Sequence, residues 1–105
     1  MQLKSGRLEK RIRLAVPVEI CPFDDESSLE RTITENVCSL GARVLTRQPK
    51  ARNERLMIRS VLGNLWTIAR VVYCQRLSDG RFGVGIQLQG VSLNWSGDSI
   101  TNAAD

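Results

Sequence analysis

From residue 12 to residue 20 the chain reads IRLAVPVEI, a stretch in which every second side chain is a branched apolar one. An alternation with period two is typical of a β-strand that buries one face. The same period returns from Phe82 to Leu88, where two of the intervening residues are glycines. We therefore predict two strands of a barrel, whose inward-facing side chains are Ile12, Leu14, Val16, Val18, Phe82, Val84 and Ile86.

The segments between these two stretches are rich in β-branched and apolar residues and are separated by turn residues. They predict four more strands, over Leu29–Asn36, Ala42–Leu45, Glu54–Leu62 and Leu65–Tyr73. The pairs Gly63-Asn64 and Asp79-Gly80 favour tight hairpins. Six short strands at regular spacing predict an all-β, six-stranded antiparallel barrel over residues 12–90. We expect residues 1–11 to form a mobile basic arm, and residues 91–105 a tail from which Trp95 packs back onto the barrel.

Composition argues against several classes of function. The 105 residues include 15 Lys and Arg, 11 Asp and Glu, and no His, so the commonest general base is missing and we predict no enzymatic activity. Three cysteines, far apart in the sequence, argue against a metal site and against a disulfide framework. No apolar run is long enough to cross a membrane, and no signal peptide is visible, so we expect a cytoplasmic protein without membrane insertion. We also expect no cofactor.

Two short polar motifs stand beside the predicted strands. Arg7 and Arg11 lie four residues apart, directly ahead of the first strand, and arginine offers a planar fork of donors that matches phosphate and guanine. The segment Asn36-Val37-Cys38-Ser39-Leu40-Gly41 joins the second strand to the third. Taken alone it is an ordinary Asn/Gly turn, although its short polar side chains could face an anion and Gly41 permits a close approach.

In this order, on a pattern of six strands, the two motifs resemble those of the PilZ domain, the bacterial receptor module for cyclic di-GMP. The family signature is an arginine, three residues and an arginine ahead of the first strand, followed by Asp/Asn-x-Ser-x-x-Gly. The resemblance covers about residues 6 to 90. It includes Val16-Pro17-Val18, Ala69-Arg70-Val71-Val72-Tyr73 and Gly83-Val84-Gly85-Ile86.

The resemblance implies a PilZ-like barrel and a set of ligand contacts. Arg7 and Arg11 would contact the guanine bases and phosphates, Asn36 would contact a guanine, and the Gly41 region would let the ligand lie close. One position departs from the signature, because Cys38 stands where the family has Ser; the adjacent Ser39 would point the other way in an extended chain. The candidate cyclic di-GMP site is therefore Arg7, Arg11, Asn36, Cys38, Ser39 and Gly41.

Three functions follow as alternatives. The first is a receptor that binds cyclic di-GMP and relays the signal to an unidentified downstream protein. The second is a degenerate PilZ-like adaptor that binds protein and no nucleotide, which Cys38 and the sparse aromatic content favour. The third, an OB-like barrel for single-stranded nucleic acid, is disfavoured because such proteins need aromatic stacking platforms, and the chain has only two Trp, one Tyr and two Phe.

Overall fold

A computed structural model describes residues 12–63, 65–89 and Trp95. Their backbone forms six strands: β1 (Pro17–Pro22), β2 (Glu30–Cys38), β3 (Gly41–Thr46), β4 (Arg55–Ser60), β5 (Leu65–Arg76) and β6 (Phe82–Gln89). All neighbouring strands are antiparallel, and they close a barrel in the order β1-β2-β3-β6-β5-β4, in which β4 returns to pair with β1. The predicted six-stranded antiparallel barrel is confirmed. In the described part of the chain, no helix has the length and apolar character needed to span a membrane.

The barrel interior is filled by aliphatic side chains that alternate along the strands. Val18, Ile58 and Val84 are fully shielded from solvent, and each such burial stabilises the fold by about 1.5–3 kcal/mol. Among the side chains predicted to point inward, four are buried and Phe82 packs against them from a partly exposed position. The four buried ones are Val16, Val18, Val84 and Ile86.

The first strand begins later than the alternation predicts. Ile12 and Leu14 are 55% and 41% exposed, so their predicted place in the core is wrong. The reason is the hydroxyl of Thr34, which takes the place of a regular ladder partner for the segment ahead of β1. It accepts a hydrogen bond from the N–H of Val16 at 2.9 Å and donates one to the carbonyl of Leu14 at 2.5 Å. Regular pairing of β1 with β2 starts only at Pro17.

Ile12 is nevertheless fixed to the barrel through its backbone. Its N–H donates to the carbonyl of Val37, and the N–H of Val37 donates back to the carbonyl of Ile12, both at 2.9 Å. This bridge places the first described residue of the chain beside the end of β2. The arm, residues 1–11, lies outside the described residues.

Trp95 packs back onto the barrel, as predicted, and is only 8% exposed. Its indole N–H donates to the carbonyl of Cys38 at 2.9 Å, and its own carbonyl accepts from the hydroxyl of Ser60 at 2.9 Å. Because Cys38 and Ser60 are the last residues of β2 and β4, Trp95 covers that end of the core. The rest of the predicted tail, residues 91–105, lies outside the described residues.

The two predicted hairpins differ in outcome. The Asp79-Gly80 hairpin between β5 and β6 is confirmed: Gly80 has φ 91, and the N–H of Leu77 donates to the carbonyl of Arg81 at 2.8 Å. β4, however, already ends at Ser60, which pairs with Leu65. The connection between these strands is therefore longer than the two-residue turn predicted at positions 63 and 64, of which position 64 lies outside the described residues.

Candidate ligand-binding groove

An open groove of about 630 Å³ lies on the outer surface of the barrel, between the segment ahead of β1 and the strands β2 and β3. Its lining combines apolar side chains with two arginines, a carboxylate and an amide. These lining residues are Arg13, Leu14, Ala15, Ile33, Thr34, Glu35, Asn36, Arg43 and Leu45. A concave surface with a few convergent polar groups on an apolar lining is typical of small-molecule sites.

A β-bulge in β2 determines which side chains line this groove. The register of β2 against β3 shifts between Thr34 and Asn36, so Glu35 is an extra residue in β2. Thr34 and Val37 are buried, whereas Glu35 and Asn36 both line the groove, with Asn36 opposite Arg43. Bulges commonly re-aim side chains in this way. The groove thus receives two adjacent polar side chains where a regular strand would present one.

Arg43, in β3, is held by contacts with side chains of two other strands, β2 and β5. Its Nε donates to Oε1 of Glu35 at 2.5 Å, and its Nη1 donates to the hydroxyl of Tyr73 at 3.2 Å. The guanidinium carbon also lies 5.7 Å from the centre of the Tyr73 ring, within range of a cation–π interaction. The tyrosine hydroxyl first, and the carboxylate second, raise the pKa of Arg43 above its ordinary value, so this arginine stays charged.

Two glycines of β6 make room for this pair of side chains. A Cβ on Gly83 would lie 2.3 Å from Nη2 of Arg43, and a Cβ on Gly85 would lie 2.1 Å from the ring of Tyr73. Both distances are far below van der Waals contact, so any larger residue would displace the side chain above it. The Arg43 and Tyr73 side chains therefore rest directly on the β6 backbone.

The predicted site is only partly gathered at this groove. Asn36 lines it, and the Ile12–Val37 bridge brings the residue after Arg11 next to Asn36 in space. Arg7 and Arg11 themselves lie outside the described residues.

The other predicted positions lie past the groove, around the turn that joins β2 to β3. Cys38 is half-buried at the end of β2, and Ser39 is exposed in the turn. Gly41 is buried at the start of β3, where an added Cβ would lie 2.1 Å from the carbonyl oxygen of Ile86 in β6. Within the structure, then, the close approach that Gly41 permits is that of a neighbouring strand.

Sequence reasoning missed Arg13, Glu35, Arg43 and Tyr73. Arg13 falls on a polar position of the alternating stretch, but the segment that carries it lies ahead of the regular pairing of β1 with β2. The sequence carries no signal for the bulge, because the apolar residues Ile33 and Val37 keep the same parity; only the buried positions of the structure change parity, between Thr34 and Val37. Tyr73 and Arg43 meet only through the pairing of β5 and β3 with β6, which the sequence does not specify.

A second arginine–carboxylate cluster lies on the outer side of β1, and its members are not among the residues that line the groove. Glu19 is buried there. Its carboxylate accepts one hydrogen bond from Nε of Arg31 at 2.7 Å and another from Nη2 of Arg59. The Arg59 guanidinium also lies 5.3 Å from the centre of the Trp66 ring. The hydrogen bond from Arg59 is the main cause that lowers the pKa of Glu19, and it outweighs the opposing effect of burial.

Comparison with known proteins was made by sequence and by structure. No family model matches the sequence, and no curated protein matches it. The barrel does match solved structures. With the Bacillus subtilis inhibitor of motility MotI/DgrA the TM-score is 0.69 at 16% identity, over 85% of this chain and 45% of that one. With MrkH in the K. pneumonia MrkH–c-di-GMP complex it is 0.62 at 11% identity, over 82% of this chain and 44% of that one.

A third match extends over nearly the whole of both chains. The PilZ domain of CeSA from a cellulose-synthesizing bacterium shares 26% identity at a TM-score of 0.54, over 90% of this chain and 93% of that one. This chain thus spans just under half the length of the first two proteins and almost all of the third. Fold and groove define a small closed β-barrel domain with a side groove. The chain has a PilZ-like fold.

Proposed function

We propose that this PilZ-like domain is a cyclic di-GMP receptor that binds its ligand in the groove and relays the signal to a partner protein. The observation that supports it most is the Ile12–Val37 bridge. It brings the part of the chain that directly follows Arg11 beside the segment from Asn36 to Gly41, which carries the second sequence motif. The likeness to MrkH, whose structure is that of a c-di-GMP complex, points in the same direction.

The chemistry of the groove suits such a ligand. Cyclic di-GMP carries two phosphodiesters and two guanines, so it needs forked cationic donors and polar groups that read a base edge. Arg13 lies in the groove lining, Arg11 is two residues from it in sequence, and Asn36 offers an amide. The apolar lining residues Leu14 and Ile33 can contact the flat faces of the bases. No catalytic step is part of this proposal, and the cytoplasmic location stays a prediction.

Calorimetric titration of the protein with cyclic di-GMP tests the proposal directly. GTP and a short single-stranded oligonucleotide serve as controls. We expect saturable binding of cyclic di-GMP alone. Oligonucleotide binding that weakens steeply with salt would instead support a nucleic-acid function, and no binding of any of the three would contradict the receptor.

The role of the arm is tested by Arg11→Ala. A charge-assisted hydrogen bond contributes about 1.5–3 kcal/mol, so we expect the affinity to fall roughly ten- to a hundredfold. Arg52→Ala is the matched control, because Arg52 is an exposed arginine in the loop between β3 and β4, outside the groove lining. If the Arg11 variant binds cyclic di-GMP as tightly as the parent does, Arg11 is not part of the binding site. Amide exchange of residues 1–11 with and without ligand tests whether the arm becomes protected on binding.

Cys38→Ser tests the one departure from the family signature. If the side chain contacts the ligand, a hydroxyl donates better than a thiol, and affinity should rise roughly two- to tenfold at unchanged melting temperature. Cys38 is half-buried next to the carbonyl that binds Trp95. A lower melting temperature with unchanged affinity would therefore assign Cys38 to packing alone.

A partner-binding adaptor without nucleotide is the second candidate. Apolar side chains on the outer surface favour it, since Ile33, Val61 and Trp66 are each about two-fifths exposed, at 41%, 41% and 38%. Where exposed apolar side chains join into one large patch, they mark a protein interface. The titration separates the two candidates, because an adaptor would not bind cyclic di-GMP.

A further inference from the structure

We infer that Glu35 is the residue that selects guanine over adenine in this groove, and that Arg43 holds its carboxylate in place. This inference rests on the proposed function, since it assigns a base-reading residue within the same site. Glu35 lies outside the two sequence motifs. It comes into the groove because the bulge adds it to β2 on the same side as Asn36.

The exposures of the two partners decide which group the pair presents to a ligand. The Glu35 side chain is 41% exposed, and the Arg43 side chain is only 18% exposed. Arg43 is covered by Tyr73 and by the β6 backbone at Gly83. The pair therefore offers the groove a carboxylate far more than a guanidinium.

The carboxylate has acceptor capacity left after its contact with Arg43. The described bond joins Nε of Arg43 to Oε1 of Glu35, and a carboxylate has about four lone-pair sites on its two oxygens. Arg43 is itself fixed by the hydroxyl of Tyr73, so the carboxylate is held in one orientation. An acceptor fixed in advance loses less entropy when a ligand binds than one on a free side chain.

The chemistry of the two purine edges turns this carboxylate into a selector. The Watson–Crick edge of guanine carries two adjacent N–H donors, at N1 and at the 2-amino group, and a carboxylate can accept both. Adenine presents a lone pair at N1 instead, so the same carboxylate would face an acceptor and lose that contact. Sites that hydrogen-bond a polar group of the ligand disfavour analogues that lack it, because the lost contact is not replaced. Asn36 cannot present two acceptor atoms side by side, because its amide carries one oxygen and one NH₂ donor.

The test compares cyclic di-GMP with cyclic di-AMP by calorimetry, using the wild type, Glu35→Gln and Glu30→Gln. Glu30 is the matched control, because it lies in the same strand and also contacts an arginine, Arg47 at 3.6 Å, but does not line the groove. For Glu35→Gln we expect cyclic di-GMP affinity to fall roughly tenfold or more. Cyclic di-AMP affinity should stay the same or rise, so the preference for guanine narrows. For Glu30→Gln we expect the wild-type preference.

Melting temperatures of the three proteins show whether a change reflects folding. Tyr73→Phe adds a second test, because it keeps the ring under Arg43 but removes the hydroxyl that Arg43 binds. We expect it to narrow the same preference less than Glu35→Gln does. If the wild type binds cyclic di-GMP and Glu35→Gln leaves the preference for guanine unchanged, Glu35 does not read the base and the inference is overturned. Tighter binding of cyclic di-GMP by Glu35→Gln would also overturn it, because Glu35 would then compete with phosphate for Arg43. If the wild type binds no cyclic di-GMP, the proposed function itself fails.

Discussion

The outer surface carries two clusters made from the same parts, an arginine stacked on an aromatic ring and bonded to a glutamate. In one, Arg59 lies 5.3 Å from the Trp66 ring centre and bonds Glu19; in the other, Arg43 lies 5.7 Å from the Tyr73 ring centre and bonds Glu35. They differ in the exposure of the acid.

The two clusters are expected to have different roles, because their glutamates differ in exposure to solvent. The Glu19 side chain is 4% exposed and is bonded by two arginines, whereas that of Glu35 is 41% exposed and bonds Arg43 at the edge of a groove. A carboxylate enclosed by two guanidiniums has little capacity for a ligand, but its removal leaves charges without a partner. A carboxylate that is partly open to solvent contributes little to stability and can still accept from a ligand. Identical chemistry thus stabilises the barrel at one place and is available for recognition at the other.

The largest expected effect is that of Glu19→Gln on stability. Loss of one member of a buried ion pair costs about 3–5 kcal/mol, and we expect about 3 kcal/mol here because the Arg31 side chain is 80% exposed and can be solvated. Urea denaturation of the variant and the parent measures this difference. Cyclic di-GMP affinity should not change at temperatures where the variant is folded. A loss below about 1 kcal/mol would make the Glu19 cluster no different from an exposed pair.

Acid should remove part of the same stabilisation. Because the folded state lowers the pKa of Glu19, its contribution is complete at pH values above the ordinary glutamate pKa of about 4.3 and is lost as the pH falls through the lowered folded value. The stability gap between the parent and Glu19→Gln should therefore shrink below about pH 4. The pKa values of Asp25 and Asp79 are lowered as well, by the hydroxyl of Ser27 and by Arg81 respectively. The difference between the two proteins, measured by thermal unfolding from neutral to acidic pH, isolates Glu19.

A smaller loss of stability is expected from Gly85→Ala, which adds a methyl group beneath the Tyr73 ring. In Gly85→Ala the new methyl would meet the Tyr73 ring, which is 36% exposed and can move away, so we expect a loss of about 1–2 kcal/mol. The displaced ring should also free Arg43 and weaken cyclic di-GMP binding. In a Tyr73→Ala background the same glycine substitution should cost much less, and a double-mutant cycle measures that coupling. Additive effects of the two substitutions would show that the ring does not mediate the loss.

The smallest expected stability effect is that of Glu35→Gln. An exposed pair contributes about 0–1 kcal/mol, so this variant should unfold within about 1 kcal/mol of the parent while losing guanine preference. Urea titrations of Glu35→Gln and Glu19→Gln side by side compare the contributions of the two clusters to stability directly. A loss near 3 kcal/mol would erase the distinction between the two clusters.

The sequence predicts the barrel well, because alternation along single strands is a local property. It predicts Val16, Val18, Val84 and Ile86 in the core and the Asp79-Gly80 hairpin. It fails at Ile12 and Leu14, where a hydroxyl supplied by β2 replaces the regular ladder.

The residues of the groove are harder to predict from the sequence than those of the barrel core. Asn36 can be selected from a motif, but its neighbours in space depend on a bulge and on the pairing of three strands. Arg43 and Tyr73 stand 30 positions apart and meet across β6 because Gly83 and Gly85 have no side chains. Contacts of this kind are decided by register, and a shift of two residues in register leaves a period-two pattern unchanged.

The position of Trp95 has a spectroscopic consequence. The chain has two tryptophans, one buried at the end of β2 and bonded to the Cys38 carbonyl, the other 38% exposed beside Arg59. A shielded indole emits at shorter wavelength than a hydrated one, so the two should contribute separable fluorescence. A Trp66→Phe variant would retain one tryptophan, Trp95, which is hydrogen-bonded to the strand that carries Asn36. Its emission would then report, without any added label, whether occupation of the groove at Asn36 reaches the end of β2 at Cys38.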